Sequence, residues 1–330
     1  GIDDEGELGL KRVGKTRQVL NKADLAVLVV DAVEGISSWE EEMIRLFEKK
    51  EIPYLVVYNK MDLLTGKSEQ EPVVEHSAYV SARTREGIQQ LKEQMARLTS
   101  QETDEKRLAA DLVKPFDTVI LVVPIDKAAP KGRLILPQQV IRDLLDIGAM
   151  PFVCRESELS ETFAKLKEAP ALVITDSQVF PLVDRLTPPQ VRLTSFSILF
   201  ARYKGDLKQA AEGAKALEMI QDGDPILISE GCTHHRQCGD IGTEKLPAWI
   251  RQYTGKAPEF HFTSGTEFPE DVSGYKLIVH CGGCMLNARE MKSRLRSAAD
   301  QEIPMTNYGI LIAYMKGILK RSMGALEPIR

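Results

Sequence analysis

The stretch IPYLVVYNKMD, residues 52–62, joins a continuous apolar run to a polar tetrad, NKMD. A run of this length, rich in β-branched and aromatic residues and closed by polar ones, reads as a strand buried on both faces of a parallel sheet. Polar residues just beyond the carboxyl end of such a strand stand where ligands gather in open α/β sheets. There Asp62 can accept hydrogen bonds from the N1–H and 2-amino group of guanine, a donor pair that adenine lacks. Asn59 and the stem of Lys60 can brace the loop and cover the ring. SAR, residues 81–83, follows the next short strand, and the backbone N–H of Ala82, beside Ser81, can meet the base's O6. The order, spacing and strand placement of the two motifs point to a guanine-nucleotide site.

Outward from this stretch the chain alternates short apolar runs with amphipathic ones, which predicts parallel sheets with helices packed on their faces. The first third reads as a helix over 7–22, strand DLAVLVVDA, helix WEEEMIRLFEKKE, strand IPYLVVYNK, strand AYVSA and helix REGIQQLKEQMARL. In the middle third, strands VILVVPI, MPFVCR, ALVITD and VRLTS alternate with helices PQQVIRDLLDI, ELSETFAKLKE and VFPLVDRL. The last third has strands PILISEG, EFHFTS, KLIVHCG and PMTN, with helices PAWIRQYT, CMLNAREMKSRLRSA and IAYMKGILKRSM. Polar breaks at 100–106 and near 221–224 divide the chain into three consecutive α/β modules, residues 1–103, 104–222 and 223–330. The last two are expected to be doubly wound parallel-sheet domains. No repeat of fixed period and no low-complexity segment is apparent.

GLKRVGKT, residues 9–16, fits the phosphate-loop pattern G-x-x-x-x-G-K-[ST] letter for letter. A working phosphate loop needs a buried strand before it, and here GIDDEGEL precedes, whose four carboxylates would repel a triphosphate. The segment reads instead as a helix with Leu10, Val13, Val19 and Leu20 on one side.

The chain has 330 residues, 43% hydrophobic and 28% charged, with a net charge of -5. That balance argues against a general nucleic-acid or anionic-membrane binder, since phosphate surfaces need concentrated Lys and Arg. The longest apolar runs fall far short of the about 20 residues of a membrane helix. The acidic start, without a methionine, carries no signal peptide and reads as truncated. Five cysteines are too few for a disulfide framework, and four of them cluster with histidines late in the chain, which suggests a reducing cytoplasm and a metal site.

EGCTHHRQCGDIG places Cys232 and His234 just beyond the strand PILISE, and KLIVHCGGCM places His280, Cys281 and Cys284 just beyond KLIV. Cys-x-x-Cys lets two thiolates bind one metal centre, and the paired glycines give the backbone room to turn. A helix entered near Cys284 would offer a positive N-terminal end that lowers thiol pKa. Three cysteines with nearby histidines leave two options: a Cys₃His zinc site, or an iron–sulfur cluster with one exchangeable ligand. Cys238 and His235 read as neighbours of the motif, His261 and His76 as structural or solvated, and Cys154 as a small core residue. LTSFSILFARYKGDL, at near-helical spacing, reads as core or subunit interface, and Lys131 with Arg133 as a solvated loop. The final helix, YGILIAYMKGILKRSM, has a broad apolar face suited to subunit contact.

NKMD followed by SAR resembles the second half of GTPase domains of the translation-factor class, with Gly1 as the last residue of the D-x-x-G switch. The resemblance makes GLKRVGKT the second switch helix and places the phosphate loop and switch threonine before Gly1. It leaves the catalytic residues outside the chain, which as written is expected to bind GTP poorly, while the complete protein hydrolyses GTP with Mg²⁺. The pattern C-T-H…H-C-x-x-C, together with DIG, TNYGI, APKGRLILP, DSQVF and LTSFSILFARYKGDL, resembles the HydF family of iron–iron hydrogenase maturation GTPases over the whole chain. That resemblance implies a truncated P-loop GTPase domain, a dimerisation domain and a domain binding a 4Fe-4S cluster. Cys232, Cys281 and Cys284 would hold the cluster, and His234 and His280 would supply the fourth ligand or stand behind the ligands. The implied task is to receive a transient two-iron precursor made with radical-SAM maturation enzymes and deliver it to apo iron–iron hydrogenase. A cytoplasmic homodimer or higher homo-oligomer is implied, with no nucleic-acid or membrane partner. The competing reading is a zinc-stabilised GTP-binding assembly protein whose Cys/His site is purely structural. A redox enzyme is disfavoured by the lack of a flavin or nicotinamide fingerprint.

Overall fold

The computed structural model describes residues 19–64, 76–100, 107–125, 135–231, 240–265 and 267–327. GLKRVGKT and most of the helix expected over 7–22 lie outside them, as do Lys131 and Arg133. The chain divides into two compact units, residues 1–106 and 107–330.

In the first unit, β1 (Ala26–Asp31), β2 (Tyr54–Asn59) and β3 (Ser77–Tyr79) form a parallel sheet in that order. β2 is buried on both faces, as its unbroken apolar run requires. Leu55 and Val57 pack with Leu91, Met95 and Leu98 of α2 (Ile88–Ser100), while Val56 and Tyr58 pack on the side of α1 (Ser38–Lys49). A capping box fixes the start of α1, with Ser37 and Glu40 bonding each other's backbone N–H region.

The second unit opens with β4 (Thr118–Val122), α3 (Ile135–Asp146), β5 (Met150–Cys154), α4 (Leu159–Lys165), β6 (Leu172–Thr175), α5 (Phe180–Leu186) and β7 (Arg192–Ser195). The strands pair in parallel in the order β5-β4-β6-β7. Two helices not expected as separate elements follow, α6 (Phe196–Lys204) and α7 (Leu207–Ala214). Then come β8 (Pro225–Ser229), α8 (Leu246–Thr254), β9 (Glu259–Thr263), β10 (Leu277–His280), α9 (Ala288–Asp300), β11 (Met305–Asn307), α10 (Tyr308–Met315) and α11 (Leu319–Gly324). These strands form a second parallel sheet in the order β9-β8-β10-β11.

Two expectations change. The helix expected to open near Cys284 begins at Ala288, because Asn287 caps it by accepting from the Glu290 N–H at 2.9 Å. The expected final helix breaks at Gly317, whose φ is 73°, into α10 and α11. Residues 308–313 of α10 are all buried, so this helix is a core element and not the subunit contact its composition suggested.

No repeat was apparent in the sequence, yet the second unit builds the same architecture twice. Strand order is the same in its two sheets, and the registers match position for position. Val122 pairs with Cys154 and Thr175 as Ser229 pairs with Thr263 and His280. Thr175 pairs with Ser195 as His280 pairs with Asn307. Each last strand runs straight into a helix capped by that residue: Ser195 accepts from the Ile198 N–H, and Asn307 from the Ile310 N–H. LTSFSILFARYKG (193–205) thus occupies the place of MTNYGILIAYMKG (305–317). Even the entry turns agree, since Asp117 accepts from the Lys114 N–H and Asp224 from the Gln221 N–H, each at 2.8 Å. The copies meet where α6 crosses α10. A Cβ on Gly309 would lie 2.5 Å from the Cβ of Ser197, its counterpart, so the glycine permits the close approach. One hydrophobic core runs through both copies, from Val119 and Leu172 to Ile226, Leu277 and Ile312.

Candidate functional site

In the first unit Asn59 closes β2, and the chain turns at Lys60 with a left-handed φ of 66°. The turn sends Lys60 Nζ to within 2.6 Å of Asp31 Oδ2 at the end of β1. It also sets Asp62 in the short turn Met61–Leu63, where its Oδ1 accepts from Ser81 Oγ at 2.6 Å. Asn59 Oδ1 accepts from the Ala82 N–H at 3.0 Å. The five residues expected to read guanine therefore gather at the carboxyl ends of β2 and β3, with Asn59–Ala82 and Asp62–Ser81 as cross-braces. The Ala82 N–H expected to meet O6 donates to Asn59 Oδ1 in this structure. Asp31 was missed by sequence reasoning, although its place at the end of the neighbouring strand was a usable signal. Its hydrogen bond to Lys60 lowers the carboxyl pKa and raises that of the amine. Lys60 is exposed and Asp31 half-buried, so the pair orients Lys60 more than it stabilises the fold.

In the second unit the sequence Cys281-Gly282-Gly283-Cys284 follows β10 directly. Cys281 Sγ accepts from the N–H of Gly231 at 3.1 Å and of Gly283 at 3.4 Å. Gly283 has a φ of 62°, which lets the chain fold between the two cysteines. Gly231, two residues beyond the end of β8, thus stands beside the Cys281 sulfur. Cys232 and His234, like His235 and Cys238, lie outside the described residues. Among the described residues no group of three or more His, Cys, Asp or Glu gathers as a metal set.

Lys204, the last residue of α6, is buried beneath this loop. Its Nζ donates to the carbonyls of Gly283 at 3.0 Å, Cys284 at 3.0 Å and Leu286 at 2.7 Å. Burial pulls the lysine pKa down, and the two thiols oppose that; burial pushes the Cys284 thiol up, and Lys204 opposes in turn.

His280 is wholly buried behind Cys281. Its Nε2 lies 3.0 Å from Arg294 Nη1 and its Nδ1 2.8 Å from the Cys281 carbonyl. Arginine only donates, so Nε2 accepts and Nδ1–H donates to the carbonyl, which fixes the neutral tautomer. Burial first, and Arg294 second, lower its pKa to about 3. Arg294 also donates to Glu290 Oε1 and to the Gly265 carbonyl, both at 2.6 Å. In this arrangement both ring nitrogens of His280 are engaged. Lys204, Glu290 and Arg294 carried no motif signal in the sequence. Cys154 is a buried core residue, and His261 bonds Glu259 and Tyr275 on the exposed side of β9, both as read.

Among the described residues no helix is long and apolar enough to cross a membrane. Three family models match the chain: the Hydrogen maturase F dimerization domain over 108–205, the Hydrogen maturase F tetramerization domain over 208–325, and the Elongation factor Tu GTP binding domain over 13–153. Where the first and last overlap, the structure assigns the residues to the second unit. Similar proteins include a probable translation initiation factor IF-2 of Staphylothermus marinus, 31% identical over 114 residues, 33% of this chain and 18% of that protein. A GTPase Der of Nitratidesulfovibrio vulgaris is 37% identical over 59 residues, 18% of this chain and 12% of its own. Another GTPase Der, from Sulfurihydrogenibium, is 30% identical over 100 residues, 27% of this chain and 22% of its own. The aligned part thus spans less than a quarter of these relatives' lengths.

Proposed function

The chain belongs to the hydrogen maturase F family, and from this premise we propose that it is the carrier part of an iron–iron hydrogenase maturation GTPase. In this reading Cys232, Cys281 and Cys284 hold a 4Fe-4S cluster. The observation that carries it is the Cys281 sulfur, which accepts two backbone N–H bonds at a strand end, one of them from the residue before Cys232. Such donors suit a thiolate ligand and the negative charge of a cluster. A bound cluster supplies an iron with an exchangeable fourth site, where a two-iron precursor can attach. Gly231 and Gly283 steady the sulfur, and His280 holds the Cys281 carbonyl. His234 is the motif histidine left as fourth ligand.

The precursor arrives from radical-SAM maturation enzymes and leaves to apo-hydrogenase. Asp62, braced by Ser81, reads guanine, and Asn59 with Lys60 shapes the base pocket. GTP with Mg²⁺ acts as a switch on partner exchange and is hydrolysed by the complete protein. The chain works as a homo-oligomer. One strand edge supports this: on β5, Met150 and Phe152 are 44% and 45% exposed.

Anaerobic reconstitution with iron and sulfide, followed by electron paramagnetic resonance of the reduced protein, tests the reading. The wild type is expected to give a 4Fe-4S signal that Cys281→Ser removes. Colourless protein holding zinc in place of iron would sink the carrier role and leave the structural-zinc alternative standing.

A further inference from the structure

Lys204 and Lys316 hold the same position in the two copies, one residue before Gly205 and Gly317. Their surroundings differ. Lys316 is exposed, whereas Lys204 is buried. Burying an ammonium group is costly unless its donors are satisfied, and Lys204 spends its three on three carbonyls. All three belong to the loop that carries Cys284. Because these acceptors are neutral carbonyls, the bonds satisfy the ammonium without cancelling its charge, which remains directed at the cysteine loop. Its Nζ also lies 5.2 Å from the centroid of the Phe200 ring, a cation–π contact within its own helix.

We propose that Lys204 is a positioning residue for the cysteine loop: a side chain of one copy fixes the Cys281–Cys284 loop of the other and sets the electron affinity of the metal centre held there. The first half of this statement stands on the geometry alone. The second rests on the cluster reading above. A charge supplied across the seam between copies also explains why one lysine of an otherwise equivalent pair is buried.

The experiment compares full-length Lys204→Met and Lys204→Gln with wild type and with Lys316→Met as the exposed counterpart. In the metal-free protein, alkylation by iodoacetamide is followed residue by residue with mass spectrometry across pH, and the limiting rate at full thiol ionisation is compared, so that it reports access to the loop and not the effect of the Lys204 charge on thiolate formation. Cys284 is expected to react several-fold faster in Lys204→Met and at the wild-type rate in Lys316→Met. After reconstitution, the midpoint potential of the cluster is expected to move negative in both Lys204 variants, since a nearby positive charge favours the reduced state. A role in folding alone would lower the melting temperature without moving the potential. Unchanged alkylation and unchanged potential in a folded Lys204→Met would overturn the proposal. Should that variant not fold, Lys204→Gln, which drops the charge and keeps two donors, carries both readouts. If wild type takes up no cluster, the cluster reading fails, and the alkylation rates decide the positioning role by themselves.

Discussion

The two copies in the second unit share strand order, register and helix caps, yet they differ at the end of the third strand. There the first reads Asp176-Ser177-Gln178 and the second Cys281-Gly282-Gly283-Cys284. The sheet is insensitive to this change because its backbone bonds are made within the ladders, while residues beyond a strand end answer only to local space. The outer strands differ as well. Where β5 exposes Met150 and Phe152, β9 carries Glu259 and His261, which bond each other at 3.0 Å. Charged side chains on an edge discourage pairing with another chain, and apolar ones invite it. One frame thus carries two different ends: an exposed apolar edge in the first copy and a cysteine loop in the second.

The largest expected effect tests that division at the edges. Phe152→Lys gives β5 the character of β9 and is expected to weaken self-association by on the order of tenfold or more, the cost of losing a buried aromatic anchor. Light scattering over a dilution series reads it, and an unchanged mass at every concentration would remove β5 from the interface. A smaller effect is expected at the seam. Gly309→Ser, which makes the two sides identical, overpacks the crossing of α6 and α10 and should cost about 1–3 kcal/mol in urea unfolding. Adding Ser197→Gly should recover much of it, since the two positions share one contact. Additive losses in the double variant would mean that the seam does not rest on this pair.

The smallest effect concerns how each copy ties down the segment ahead of its first strand. In the first, Arg202 donates to Asp111 at 3.0 Å; in the second, the matching Tyr314 and its neighbour Tyr253 donate to Glu218 at 3.0 and 2.7 Å. Chiefly through Glu218, the Tyr253 pKa is raised from 10.0 to about 12. A phenol raised in the folded state contributes stability that is complete below its unfolded pKa and lost as pH climbs through the folded one. Urea midpoints are therefore expected to fall between about pH 10 and pH 12 by a small margin that Tyr253→Phe removes. The same slope in the variant would place the alkaline loss elsewhere. The arginine contact stays charged throughout this range.

Much of this was legible in the residues. The apolar runs located the strands, and polar residues at strand ends marked both candidate sites, because buried parallel strands have few other readings. The final helix was misjudged although its signal was present: YGILIAYM is apolar on every side, which marks a core helix and not an amphipathic one. The repeated architecture was hidden because its copies differ in loop length and because the matching helices vary as cores do, Phe196 for Tyr308 and Ser197 for Gly309. Helix α9 starts only after Asn287, at Ala288, because of the path the chain takes after Cys284, which no pattern of residue types fixes. Lys204 was invisible for a similar reason: a lysine ending an apolar run is ordinary until the fold lays another copy's loop across it.

The core shared by the two copies also bears on their independence. Two copies of one fold need not depend on each other, but here α10 of the second copy is walled on one side by α6 of the first, and Lys204 reaches across to hold the cysteine loop. The cysteine-bearing copy has thereby given up its portability. Transplanted alone onto another protein, it would carry its cysteines without the lysine that holds their loop, and with the apolar flank of α10 stripped of its cover.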